Sequence, residues 1–321
     1  MSETMAHSYP THLTSFHGLP VHEFPALDEE KAAGRPAPGS VAWRISCAWE
    51  EDPFDVLWRR FHDEVRTEEV TALVIGPWWP DWDEDGIGPV LDLITGDAHR
   101  LPRLRAVFLA DVESEESEIS WIKQGEVTRV LRAWPGLEEL GVRGAEDLVV
   151  EPLRHEALRT LRIESGGLPR DPVRALAAGE FPALRHIELW LGTSWYGGDC
   201  RPEEIRALLD GLGHSPDLRH LGLRNSDIQD DICAAVASAP LVARLEELDL
   251  SMGVLGDEGG EALLGGQPLT HLDALDLSHH FMSEPMTERL RETFAPHGVA
   301  LSLDPAPYGG RMRERYVAVG E

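Results

Sequence analysis

Residues 245–264, LEELDLSMGVLGDEGGEALL, change period halfway along. In LEELDL (245–250), Leu245, Leu248 and Leu250 occupy the first, fourth and sixth places. The alternation over the last four is that of a strand with one buried face. In LGDEGGEALL (255–264) the apolar spacing becomes helical. Asp257 near its start suits a helix N-terminus, where unpaired N–H groups and the macrodipole favour negative charge.

The strand pattern recurs from Val70, Leu104, Leu137, Leu158, Leu184, Leu218, Leu245 and Leu272. Weaker copies flank these, with Trp43 and Ile45 before and Leu301 and Leu303 after, which makes about ten turns. The helical half recurs as IQDDICAAVA (228–237) and MSEPMTERL (282–290). Ile228, Leu255 and Met282 align, as do Asp230, Asp257 and Glu284. One such unit cannot bury its apolar face alone, so neighbours must stack and the two ends need covers.

These residues resemble the ribonuclease-inhibitor-like class of leucine-rich repeats, with its LxxLxL strand and LxDEGxxAL helix. The chain also resembles a little-characterised actinobacterial leucine-rich-repeat family, which implies a bacterial protein. The resemblance implies an α/β solenoid shaped as a horseshoe, with a parallel sheet on the concave face and helices on the convex face. The expected division is an N-terminal cap and loop over 1–40, the solenoid over 41–303, and a C-terminal tail or cap over 304–321. One departure stands out: the Asn usual at the ninth place is Ser226, Gly253 and His280 in the last three clear copies, so the turns there need other hydrogen bonds. Near the start of the solenoid, Asp52 and Pro53 read as cap and first residue of a helix burying Phe54, Leu57, Phe61 and Val65.

Composition narrows the function. The chain has 321 residues, with 57 Asp and Glu against 29 Lys and Arg, a formal net charge of -28. That field repels phosphate backbones and anionic lipid, so neither nucleic acid nor membrane is an expected partner. A protein with a basic patch is, although surface acid also serves solubility. Cys47, Cys200 and Cys233 are too few and scattered for a disulfide framework or a four-cysteine zinc site. MSETMAHSYPTHLTSF (1–16) lacks the pattern of a signal peptide, and no apolar run is long enough to span a bilayer, so a cytoplasmic location is expected.

In such a solenoid the third, fifth and seventh places of each strand project onto the concave face. Its N-terminal part reads as small and apolar, with Ala72, Val74, Gly76, Ala106, Phe108 and Ala110. The centre carries Arg143, Arg162, Glu164, His186, Glu188, Trp190, His220 and Arg224, and the C-terminal part Glu247, Asp249, Asp276 and Asp304. Arg and Trp are the residue types enriched at binding hot spots. The expected protein-binding set is therefore Arg143, Arg162, Glu164, Glu188, Trp190, Arg224, Asp249 and Asp276. The competing reading pairs these residues across strands, Arg162 with Glu188 for example.

Two constellations admit metal. His186, His220 and Glu247 share the third place of successive strands, which suits a two-histidine, one-carboxylate site. DWDEDG (81–86), with Asp92 at the twelfth place, matches the start of a calcium loop at Asp81, Asp83, Asp85 and Gly86. It departs in its preceding strand, its final Asp and Pro89. Trp78, Trp79 and Trp82 in PWWPDW either seal the solenoid edge or face a partner. WYGGD (195–199) reads as a protruding loop, and 309–321, with Arg311, Arg313 and Arg315, as a covering strand or a free tail. No GxGxxG, GxxxxGK[ST], GxSxG or HExxH is present. The expected function is a non-enzymatic protein-binding scaffold without cofactors, the alternative a metal-dependent enzyme or metal-binding accessory protein using His186, His220 and Glu247.

Overall fold

The computed structural model describes residues 10–25, 34–47, 52–79, 86–307 and 314–321. Among these described residues twelve strands form one sheet in strict chain order. They are β1 (Ser15–Phe16), β2 (Leu19–Phe24), β3 (Ala42–Ile45), β4 (Ala72–Ile75), β5 (Ala106–Leu109) and β6 (Glu139–Arg143), then β7 (Thr160–Glu164), β8 (His186–Gly192), β9 (His220–Ser226), β10 (Glu247–Asp249), β11 (Ala274–Asp276) and β12 (Ala300–Ser302). Only β1 and β2 pair antiparallel; every later neighbour is parallel, as a repeat of strand and return helix requires.

The returns among the described residues carry eight α-helices: α1 (Phe54–Glu64), α2 (Gly88–Gly96), α3 (Thr128–Ala133), α4 (Arg170–Ala178), α5 (Pro202–Leu212), α6 (Gln229–Val236), α7 (Asp257–Gly265) and α8 (Glu284–Phe294). The core lies between them and the sheet. The fourth- and sixth-place residues Leu73, Ile75, Val107, Leu109, Leu221 and Leu223 are fully buried, with Leu57, Leu91, Ile205 and Ile232 of the helices in the same cluster. Burying each such side chain contributes about 1.5–3 kcal/mol, so the repeated column dominates the stability of the stack. Helix α1 starts one residue later than the sequence suggests. Pro53 is extended, with ψ 154°, and stands as the cap without a side-chain bond, so Asp52 is not the cap.

The turns replace the missing asparagine locally. His280 Nδ1 accepts from the Met282 N–H at 3.1 Å, and Ser226 Oγ accepts from that of Ile228 at 3.2 Å. The residue before each ninth place bends the chain in the left-handed region, at Asn225 (φ 55°), Met252 (φ 69°) and His279 (φ 59°).

The apolar start of the helix-free face is not open. The β1–β2 hairpin turns back over it, and Leu13, Phe16, Leu19 and Val21 pack on Ala42, Ala72, Val74, Ala106 and Phe108. Phe16 meets Phe108 edge to face, with centroids 5.8 Å apart. The Phe108 ring in turn fills the space over Gly141, its partner on β6; a Cβ there would lie 2.3 Å from the ring. Small residues on neighbouring strands thus make a seat for one hairpin. Phe16→Ala should lower the unfolding free energy by about 3 kcal/mol in urea titrations followed by circular dichroism. An unchanged midpoint would mean that the hairpin rests on the face without stabilising it.

Candidate functional site

Parallel pairing without slippage turns each strand position into a column on the helix-free face. His186 pairs with His220 and His220 with Glu247; Arg162 pairs with Glu188, Trp190 with Arg224, Arg143 with Glu164 and Asp249 with Asp276. These are the juxtapositions that the repeat spacing implies. The exposure of the same residues is another matter.

Arg143, Glu164, Glu188, Trp190 and Arg224 are all buried. They form two runs of alternating charge. In the first, Arg44 bonds Glu23 and Asp111, each at 2.8 Å; Arg143 stands 3.6 Å from Asp111 and donates to Glu164 at 2.8 Å. Asp111, fully buried, also accepts the Leu13 N–H and faces His12 at 3.3 Å, which pins the N-terminal segment to the sheet. Its hydrogen bonds to Asp111 and Glu116 raise the His12 pKa to about 10. In the second run, Glu188 accepts from Arg224 and from the Trp190 indole N–H, each at 2.8 Å, and Arg224 reaches Asp249 at 3.0 Å. Arg162 stays partly exposed, with its Nε 3.7 Å from Glu188.

Trp190, expected to project from the face as a binding residue, is instead covered by the C-terminal segment. Residues 314–321 lie across the sheet as a covering segment without a strand of their own. Val319 packs with Trp190, Ile119 and Met252. Asn225 holds it in both directions: its Nδ2 donates to the Val319 carbonyl at 2.6 Å, and its Oδ1 accepts the Val319 N–H at 2.9 Å. Gly166 admits the segment, since a Cβ there would lie 2.1 Å from the Gly320 carbonyl. Asp111 and Asn225 were not among the sequence candidates. Asn225 gave a signal, as an Asn near the end of a strand is suited to a left-handed turn; Asp111 gave none.

The part of the face that stays at least partly open includes a row of third-place residues, Thr160, His186, His220 and Glu247, with Arg162, Asp249 and Asp276 beside them. Among the described residues Trp195 and Trp121 are the most exposed large hydrophobic side chains, at 90% and 65%. Trp195 lies in a 3₁₀ turn, Ser194–Tyr196, in the loop expected to protrude, and Trp121 in another, Ile119–Trp121. Tyr196 hydrogen-bonds Glu321, and Ile119 packs on Val319, so both turns meet at the covered end of the chain. Trp78 is buried in the core, with Trp79 edge-on to it at 4.7 Å. Trp82, Asp81, Asp83 and Asp85 of the proposed calcium loop, and Arg311 and Arg313 of the tail, lie outside the described residues; Asp92 is paired with Arg129. No helix among the described residues is long and apolar enough to cross a membrane.

No family model and no curated protein matches the chain. Among solved structures it is similar to a Bacteroides fragilis protein determined by a structural-genomics consortium, with a TM-score of 0.73 and 23% identity over 92% of this chain and 80% of that one. That likeness shows a shared fold.

Two consequences of burial can be measured. Trp190→Ala should cost about 3 kcal/mol of unfolding free energy, because it empties the space between Arg224 and Val319; a loss below about 0.5 kcal/mol would mean that the C-terminal segment is not seated on the sheet in solution. Asp249 is pushed up to about 6, chiefly by burial, against the pull of Arg224 and with Asp276 adding to the rise. Folded protein therefore holds an extra proton between the ordinary Asp value near 3.8 and about 6, and the resulting stabilisation is lost as pH rises through that window. Asp249→Asn removes this dependence. Its stability relative to the parent should climb by on the order of 2 kcal/mol from pH 4 to pH 7; a constant difference would refute the raised value.

Proposed function

We propose that the chain is a leucine-rich-repeat solenoid of the ribonuclease-inhibitor-like class, a horseshoe with its sheet concave and its helices convex, that binds another protein without enzymatic chemistry. Strict sequential strand order and a helix in most returns support the class. The observation that carries the binding reading is the pair of exposed indoles, Trp121 and Trp195, on turns at one rim. Indoles supply large rigid contact area at small entropic cost, and a monomer gains nothing from leaving two of them in water.

This places the contact beside the central residues first singled out. Arg143, Glu164, Glu188, Trp190 and Arg224 act as a buried framework, while Arg162, Asp249 and Asp276 stay partly exposed on the same face. The net charge of -28 favours a partner with a basic patch, which the acid columns of β10 and β11 would steer.

Affinity capture from native lysate, followed by binding kinetics with the recovered protein, tests the reading. Trp195→Ser and Trp121→Ser should each weaken binding by about 30-fold, some 2 kcal/mol, and leave the circular dichroism melt unchanged. Binding at full strength by the double variant would remove the rim from the interface.

A further inference from the structure

On the open part of the sheet, two imidazoles each leave a ring nitrogen without a partner. His186 and His220 stack with centroids 3.8 Å apart and planes 4° from parallel. The Nε2 atom of each is buried without a hydrogen-bond partner. Glu188 Oε2 lies 3.6 Å from His186 Nε2, beyond a good hydrogen bond. The next strand places Gly222, which has no side chain, beside Glu188. Among the described residues this is the one group of three whose histidine, cysteine or carboxylate ligand atoms all lie within 4.8 Å of each other. Buried polar atoms are normally satisfied, and two facing nitrogens left bare beside a carboxylate call for an explanation.

We propose that His186, His220 and Glu188 hold one divalent ion of the borderline class, such as Zn²⁺, Co²⁺ or Ni²⁺. Two imidazoles and a carboxylate are the donor set that such ions take, and they leave positions for water. The surroundings prepare the ligands. Glu247 Oε2 sits 2.8 Å from His220 Nδ1, so a proton held there leaves the Nε2 lone pair facing the site. That is the carboxylate–histidine–metal arrangement, with the sequence's third ligand, Glu247, acting as an orienting partner and Glu188 taking its place.

Capture needs one local movement. A lone pair lies in the plane of its ring, so parallel rings cannot aim theirs at one point, and a tetrahedral ion about 2.1 Å from each nitrogen wants them roughly 3.4 Å apart. One imidazole must turn out of the stack, which their partial exposure allows, with 26% and 18% of the two side chains in solvent. Arg162, whose Nε has no hydrogen-bond partner and faces Glu188 Oε2 at 3.7 Å, competes with the ion for that oxygen and can move to solvent.

The test is titration of the chelator-stripped full chain with Co²⁺, read by its visible absorption, and with Zn²⁺, read by elemental analysis after desalting. One equivalent should bind. His186→Ala and His220→Ala should each weaken binding at least 100-fold, and Glu247→Gln 10- to 100-fold, with circular dichroism unchanged. Arg162→Met should tighten it, an outcome that a purely structural role for these residues would not produce. Failure of the parent to retain stoichiometric metal, or equal retention by His220→Ala, would overturn the proposal and leave the stack as packing. Because partner binding at the rim is measured separately, loss of either activity leaves the other standing.

Discussion

Each strand from β2 to β12 hydrogen-bonds to the next in parallel and without slippage, so the place of a side chain in its own strand is also its place in a column across the sheet. A one-residue slip anywhere would send the fourth- and sixth-place leucines to the wrong face, and burial of that column is what forbids it. The same ladder that secures the core therefore arranges the chemistry on the other side. His186, His220 and Glu247 are brought together by hydrogen bonds between main chains and by leucines facing away from them.

The helix-free face solves a second problem. Small residues at its start and charged residues at its centre are covered, by the hairpin at one end and the C-terminal segment at the other. Burying charge is costly unless each ion is paired, and removing one partner strands the other. Here the pairing is continuous: Glu23, Arg44, Asp111, Arg143 and Glu164 in one run, Glu188, Arg224 and Asp249 in the next. The covers add the missing contacts, His12 toward Asp111 and the Val319 backbone toward Asn225. The face thus has a closed framework and an open remainder, and the Nε2 atoms of the stacked histidines, left without hydrogen-bond partners, fall at the boundary between them.

For the candidate site, the columns were legible and their exposure was not. That Trp190 neighbours Arg224 follows from counting places in two repeats. That Trp190 is buried depends on Val319, 129 positions away, in a segment with no repeat signature of its own. Asp111 illustrates the same gap: it lies just past its strand, and its partners Leu13, His12, Arg44 and Arg143 come from three distant parts of the chain.

Periodicity works because it reports interactions between identical neighbours. The sequence by itself determined the strand register, the helix on each return of the later repeats and the residues that line each column, since every repeat faces the same local demand to bury its leucines. Tertiary structure alone decided which part of the helix-free face is covered and which indoles remain in water. Those outcomes turn on single contacts between non-repeating ends and the sheet, Phe16 on Phe108 and Val319 on Trp190, and a contact made once leaves no period to read.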